Sequence, residues 1–196
     1  MADIAPVDRR ILVVAAAVFA LLMAFSARYG FQGDELYFLD CARHLSLSWT
    51  PIVNPVTTQT IGWPELVRTV TGTWDRLPPG QRANAVIFTA DYEEAGAINE
   101  LGRNLPRAVS GHNTVWWWGP GNPRASTVLA VLPAQPAAGV ARLLAQLKGD
   151  FASVTVVTTL GNPDHVSGTL ADGTVYLCRH PIEAWGKLWP SFRHYG

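Results

Sequence analysis

One long apolar run stands at the head of this chain, and shorter apolar runs alternate with polar stretches after it. Ile11 to Ala27 contains no charged residue. At the rise of an α-helix the run reaches about 26 Å, slightly under a bilayer core, and Arg28 and Tyr29 extend it at the interface. It is apolar all round, which disfavours a buried helix of a water-soluble domain. Arg9 and Arg10 precede it. The positive-inside rule then leaves the N-terminus in the cytoplasm and everything after Arg28 outside. A cleaved signal peptide is the competing reading, with Ala24-Phe25-Ser26 as a small-x-small site. The run is long for a signal core and Arg28-Tyr29-Gly30-Phe31 is an unusual mature start, so a retained helix is preferred.

Further along, the periodicity changes. Gly33 to Leu45 has the spacing of a short helix with Asp34 as N-cap, but no obvious packing partner, and is expected to be loosely held. Ser46 to Gly62, with Pro51, Asn54, Pro55 and a Thr-rich stretch, reads as an extended linker. Trp63 to Trp74 has helical spacing with Pro64 in its first turn. Ala85 to Thr89 is continuously apolar, as a strand covered on both faces would be. A helix follows through Leu101, with Asp91 and Glu94 at capping-box spacing. Ala108 to Ser110, Thr127 to Leu132, Ser153 to Leu160 and Thr174 to Cys178 read as further strands, and Gly139 to Leu147 as an amphipathic helix. This alternation predicts an α/β fold: one N-terminal transmembrane helix followed by a soluble domain with a mostly parallel sheet. The expected divisions are 1–31 for tail and transmembrane helix, 32–62 for the acidic motif and linker, and 63–196 for an extracytoplasmic domain.

Charge narrows the partners. Lys plus Arg and Asp plus Glu balance at 15 each, and no basic stripe is present, so nucleic acid is excluded as the main partner. The two cysteines, Cys41 and Cys178, lack metal-type spacing and are expected as free thiols. No Gly-rich phosphate loop, Walker motif or nucleophile elbow occurs.

Polar groups collect in four places. Asp34-Glu35 sits in an aromatic-apolar frame after the first apolar run. Asp91, Tyr92 and Glu93 follow the first strand, His112 and Asn113 the second, and Asn162, Asp164 and His165 the fourth. In a parallel sheet these last three loops share the carboxyl edge, where ligands bind. Asp91, His112 and His165 are metal-ligand types without a metal signature, and no metal is assigned. The plainer roles are helix capping by Asp91, turn chemistry at Asn113 and Asn162, and solvent-facing histidines. Trp116-Trp117-Trp118 cannot all point one way in an extended segment, which leaves Trp117 as a candidate ligand contact.

Arg28 to Leu39 with Ala42-Arg43-His44-Leu45 resembles the first extracytoplasmic loop of bacterial family-39 glycosyltransferases. These are multi-spanning enzymes related to protein mannosyltransferases and aminoarabinose transferases. Gly62-Trp63-Pro64-Glu65-Leu66, Thr89 to Ala97, Ser110-Gly111-His112-Asn113, Trp116 to Pro120 and Trp189 to Gly196 are similar to the soluble tail of actinobacterial members. The resemblance implies a polyprenyl-phosphate sugar as donor, with Asp34 as catalytic acid/base and Glu35 supporting it. A divalent metal is conceivable in the full-length family, but none is expected here. The two blocks are joined where the family carries many membrane helices, so the chain resembles an internally deleted relative. A dry, shaped site needs walls that one helix does not supply, so no transfer is expected from the chain alone. The alternative is a single-pass, membrane-anchored accessory module. Its ligand-binding residues Asp91, Tyr92, Glu93, His112, Asn113, Trp117 and His165 would hold a glycan or another membrane glycosyltransferase.

Overall fold

The apolar runs pair into one five-stranded sheet. Strands β1 (Ala85–Thr89), β2 (Ala108–Ser110), β3 (Thr127–Leu132), β4 (Phe151–Thr159) and β5 (Thr174–Pro181) stand in the order β2-β1-β3-β5-β4. The computed structural model describes residues 13–14, 16–21, 36, 62–134, 137–161 and 173–195. The chain separates into two compact units, Met1–Gly30 and Phe31–Gly196.

In the second unit, helices cover both faces of the sheet. β1 and β3 are buried at every position, as continuously apolar strands must be. Side chains of a strand alternate between faces, and the core divides accordingly. Ile87, Leu129, Val131 and Leu177 face α1 (Trp63–Asp75) and α3 (Tyr92–Leu101), with the single turn α2 (Pro79–Arg82) between them in the chain. Val86, Phe88, Val128, Ala130 and Cys178 face the other way. There they meet Leu147 of α4 (Ala137–Asp150) and an aromatic cluster of Phe151, Trp185, Trp189 and Phe192. Phe88 is its hub, with edge-on contacts to Trp185, Trp189 and Phe192 at centroid distances of 5.8, 6.4 and 5.2 Å. Around this cluster the indoles find acceptors: Trp185 Nε1 donates to Pro120 O, and Trp116 and Trp189 each donate to the other's carbonyl.

The sheet is mixed, not mostly parallel. β1 is parallel to β2 and β3, whereas β5 lies antiparallel between β3 and β4. A parallel neighbour requires a crossover of a dozen or more residues, usually helical. The stretch after Leu160 carries no helical periodicity, so the chain can return beside β4 antiparallel. β4 also lacks the cover on both faces that its apolar run would need in a mostly parallel sheet. It is an edge strand, largely exposed, with Val156 62% accessible and a register shift between Val156 and Thr158. Trp116 to Trp118 is not extended: it belongs to a 3-10 helix, Asn113–Trp118, opened by Asn113 at φ 50°.

Leu36 supplies another correction. The segment around it was expected to lack a partner, yet Leu36 is fully buried in the cluster containing Trp63, Leu66 and Ile98. Asp34, Glu35 and Cys41 lie outside the described residues. Cys178 is unpaired, and burial pushes its thiol up to about 12. In the first unit, residues 13–14 and 16–21 are helical with exposed side chains. Among the described residues no helix is long and apolar enough to cross a membrane.

Candidate functional site

Topology opens a crevice at the carboxyl edge. β1 leads through α3 to β2 on one side, and β3 leads through α4 to β4 on the other. Two adjacent parallel strands whose chains leave in opposite directions form the switch point at which ligands bind in α/β sheets. A cavity of about 410 Å³ lies there. Ala90 and Asp91 after β1, His112 after β2 and Pro133 after β3 form one side of it. Val140, Arg142, Leu143 and Gln146 of α4 form a second, and Ser191 to Tyr195 of the C-terminal tail a third.

Asp91 is placed by local chemistry. It is the N-cap of α3, its backbone N–H donates to Glu94 Oε2 at 2.9 Å, and its own carboxylate accepts from Glu93 N. The same Oδ1 lies 3.0 Å from His112 Nδ1. A carboxylate only accepts, so the proton sits on Nδ1 and the ring is fixed in that tautomer. Glu94, fully buried behind this pair, is held well above the usual carboxylate range by burial first, then by the Asp91 and Glu93 charges.

His112 is not solvent-facing. Its side chain is 9% accessible. The His194 ring stacks on it at 4.9 Å, and the Tyr92 ring packs at the same distance. Its Nε2 is sealed and, among the described residues, has no hydrogen-bond partner. In this arrangement His112 clamps Asp91 and supports the crevice; it is not an exposed general base. The tail that seals it is docked by backbone. His194 N donates to Gly111 O and Asn113 N donates to His194 O, each at 3.0 Å. His194 Nδ1 and Nε2 face the carbonyls of Phe192 and Ala90. Gly111 is obligatory here, since a Cβ would come within 1.9 Å of Phe192 O.

Comparison of the chain with protein-family models, curated proteins and solved structures gives no match. The site therefore has to be read from its own geometry. Of the residues singled out in the sequence, Asp91 and His112 line the crevice together. Tyr92 and Glu93 are buried on α3. Asn113 serves the tail through its backbone, and Trp117 stands outside the crevice, 65% exposed. His165 lies outside the described residues. β4 does end at this edge, but β3 and β5 separate it from β1. Among the described residues no group of three or more His, Cys, Asp or Glu is placed to hold a metal ion.

Sequence reasoning missed Arg142, Gln146, Arg193, His194 and Tyr195. The first two share one face of a helix, which periodicity can show. The last three are polar or aromatic residues next to the chain's end, and only the docking of Phe192 in the core brings them to the crevice.

Proposed function

We propose that this chain is a membrane-anchored, extracytoplasmic binding module of the family-39 glycosyltransferase lineage, with the crevice as its glycan site and no sugar transfer of its own. The resemblance of Arg28 to Leu45 and of the C-terminal motifs supports the lineage and suggests a polyprenyl-phosphate sugar as the related donor. The uncharged run Ile11 to Ala27 supports a single-pass anchor. Val13, Val14, Val18, Phe19 and Leu21, exposed on a helical stretch, agree with it. Asp34 and Glu35 keep the ancestral catalytic assignment by resemblance alone.

The observation that carries the binding role is the Asp91–His112 pair, preset at 3.0 Å on the wall of a 410 Å³ cavity at the switch point. A cavity of this size accepts a ligand of sugar dimensions. Apolar Val140 and Leu143 beside polar Gln146 and Ser191 suit a ring with hydroxyls on its edge. Two measurements on the purified full chain in detergent test this reading. A polyprenyl-phosphate-sugar transfer assay should give no turnover, and Asp34-dependent turnover would refute the inactive assignment. Saturation-transfer NMR with simple saccharides should show binding that is lost when Leu143→Trp fills the crevice. Binding that survives the plug would move the site elsewhere.

A second reading, docking to another membrane glycosyltransferase, is favoured by Trp117 and Tyr195, 65% and 63% exposed beside the crevice. Trp117→Ala should then abolish co-purification with that enzyme while saccharide binding persists.

A further inference from the structure

We infer that the crevice selects an anionic ligand: an oxyanion, phosphate or carboxylate, carried on a body of sugar-ring size, with Arg142 and Arg193 as its charge partners. This rests on the crevice being the ligand site and adds the chemical class of what enters it.

The charges lining the cavity are unequal. Among the described residues Asp91 is its only carboxylate, and that group is already engaged by His112 Nδ1 and the Glu93 N–H. Arg142 and Arg193 line it from two of its sides, one on α4 and one on the tail. Among the described residues neither has a carboxylate partner. Counting Arg142, Arg193 and Asp91 alone, the described lining carries one net positive charge.

Arg193 is also prepared for the task. Its guanidinium lies 4.7 Å from the centroids of both Trp116 and Trp117 and 5.2 Å from that of Tyr195, and it donates to the Tyr195 hydroxyl. Stacking uses the faces of the guanidinium and restricts its rotamers. Its remaining N–H donors point outward in the plane, the geometry that suits an oxyanion.

The helix ends point the same way. The N-terminus of α3 is filled by its own Asp91, Glu93 and Glu94. The first turn of α4, where Gly139 and Val140 line the cavity, carries no acidic residue. The positive end of the α4 dipole therefore adds to Arg142 with no acidic residue in its own first turn to offset it.

Isothermal titration of the full chain in detergent at low salt tests this, with glucose, glucose 1-phosphate and glucuronate as probes. Both charged probes should bind at least about tenfold tighter than glucose, and Arg142→Gln and Arg193→Gln should each remove roughly that factor. Arg193→Lys, which keeps charge but not the planar fork, should fall between. Arg68→Gln, at the exposed Glu65 pair on α1, should change nothing. Whichever charged probe binds tighter identifies phosphate or carboxylate as the group recognised. Equal binding of all three probes, abolished by Leu143→Trp, overturns the anion selectivity and leaves the crevice standing. Binding of charged probes that ignores Arg142→Gln and Arg193→Gln also overturns it. No binding by any probe overturns both readings.

Discussion

Glu94 sits fully buried, with one carboxylate oxygen bonded to Asp91 N and the other, among the described residues, without a partner. Burial and the neighbouring acids hold it protonated above its ordinary value of 4.5. The folded protein therefore binds a proton that the unfolded chain releases above that value. The sign follows: this group's contribution to stability is greatest at low pH and is lost as pH rises from 4.5 through the folded value. Glu94→Gln keeps an acceptor for Asp91 N and removes the titration. Its stability relative to wild type should grow steadily from pH 4.5 upward in urea melts. Parallel profiles would mean that Glu94 does not hold its proton. Asp91 is the companion case. Asp91→Asn retains a good cap, whereas Asp91→Ala removes both cap and histidine clamp and should cost about 0.5–2 kcal/mol from the cap alone. The capping box was legible in the sequence because its spacing is local. The His112 contact was not, because it joins the loops after two different strands.

At the scale of elements, three strands matched their apolar runs, and the helices Trp63–Asp75, Tyr92–Leu101 and Ala137–Asp150 fell where periodicity put them. A run such as Val86 to Phe88 has no alternative to burial on both faces. The direction of β5 was not legible from its composition, since an apolar strand reads the same in either orientation. The clue lay in the connection before it, which lacks a helical pattern. The C-terminal tail was missed for a related reason. Its pairing with residues after β2 spans about half the chain, and only Gly111, a residue without a Cβ, leaves room for it. Gly111→Ala should push the tail off, expose His112 and destabilise by about 1–3 kcal/mol as the shifted backbone loses partners. Gly72 and Gly149 lie inside helices where an added Cβ meets nothing within 4 Å. Replacing either by Ala should instead stabilise by about 0.5–1 kcal/mol. Thermal melts separate the two classes, and a stabilising Gly111→Ala would show that the tail is not docked as described.

For the whole molecule, the decisive residue is Leu36. It belongs to the unit Phe31–Gly196 and is fully buried, in one cluster with Trp63 and Leu66 of α1. The segment that carries the acidic motif is thus tied to the folded domain at this side chain. The sequence did not reveal it, because a lone leucine in a short amphipathic stretch has no pattern that names its partner. The consequence can be measured by comparing two fragments, 31–196 and 63–196. The longer retains Leu36 and should match the urea midpoint of the full chain's folded domain. The shorter loses it and leaves a vacated site in the cluster that contains Trp63, Leu66 and Ile98. By analogy with buried Leu→Ala changes, the loss is about 2–5 kcal/mol. Leu36→Ala within 31–196 should reproduce most of that drop, which would assign it to the side chain and not to the length of the fragment. If 63–196 proves as stable as 31–196, Leu36 contributes nothing to the core, and the acidic motif is joined to the domain only by its linker.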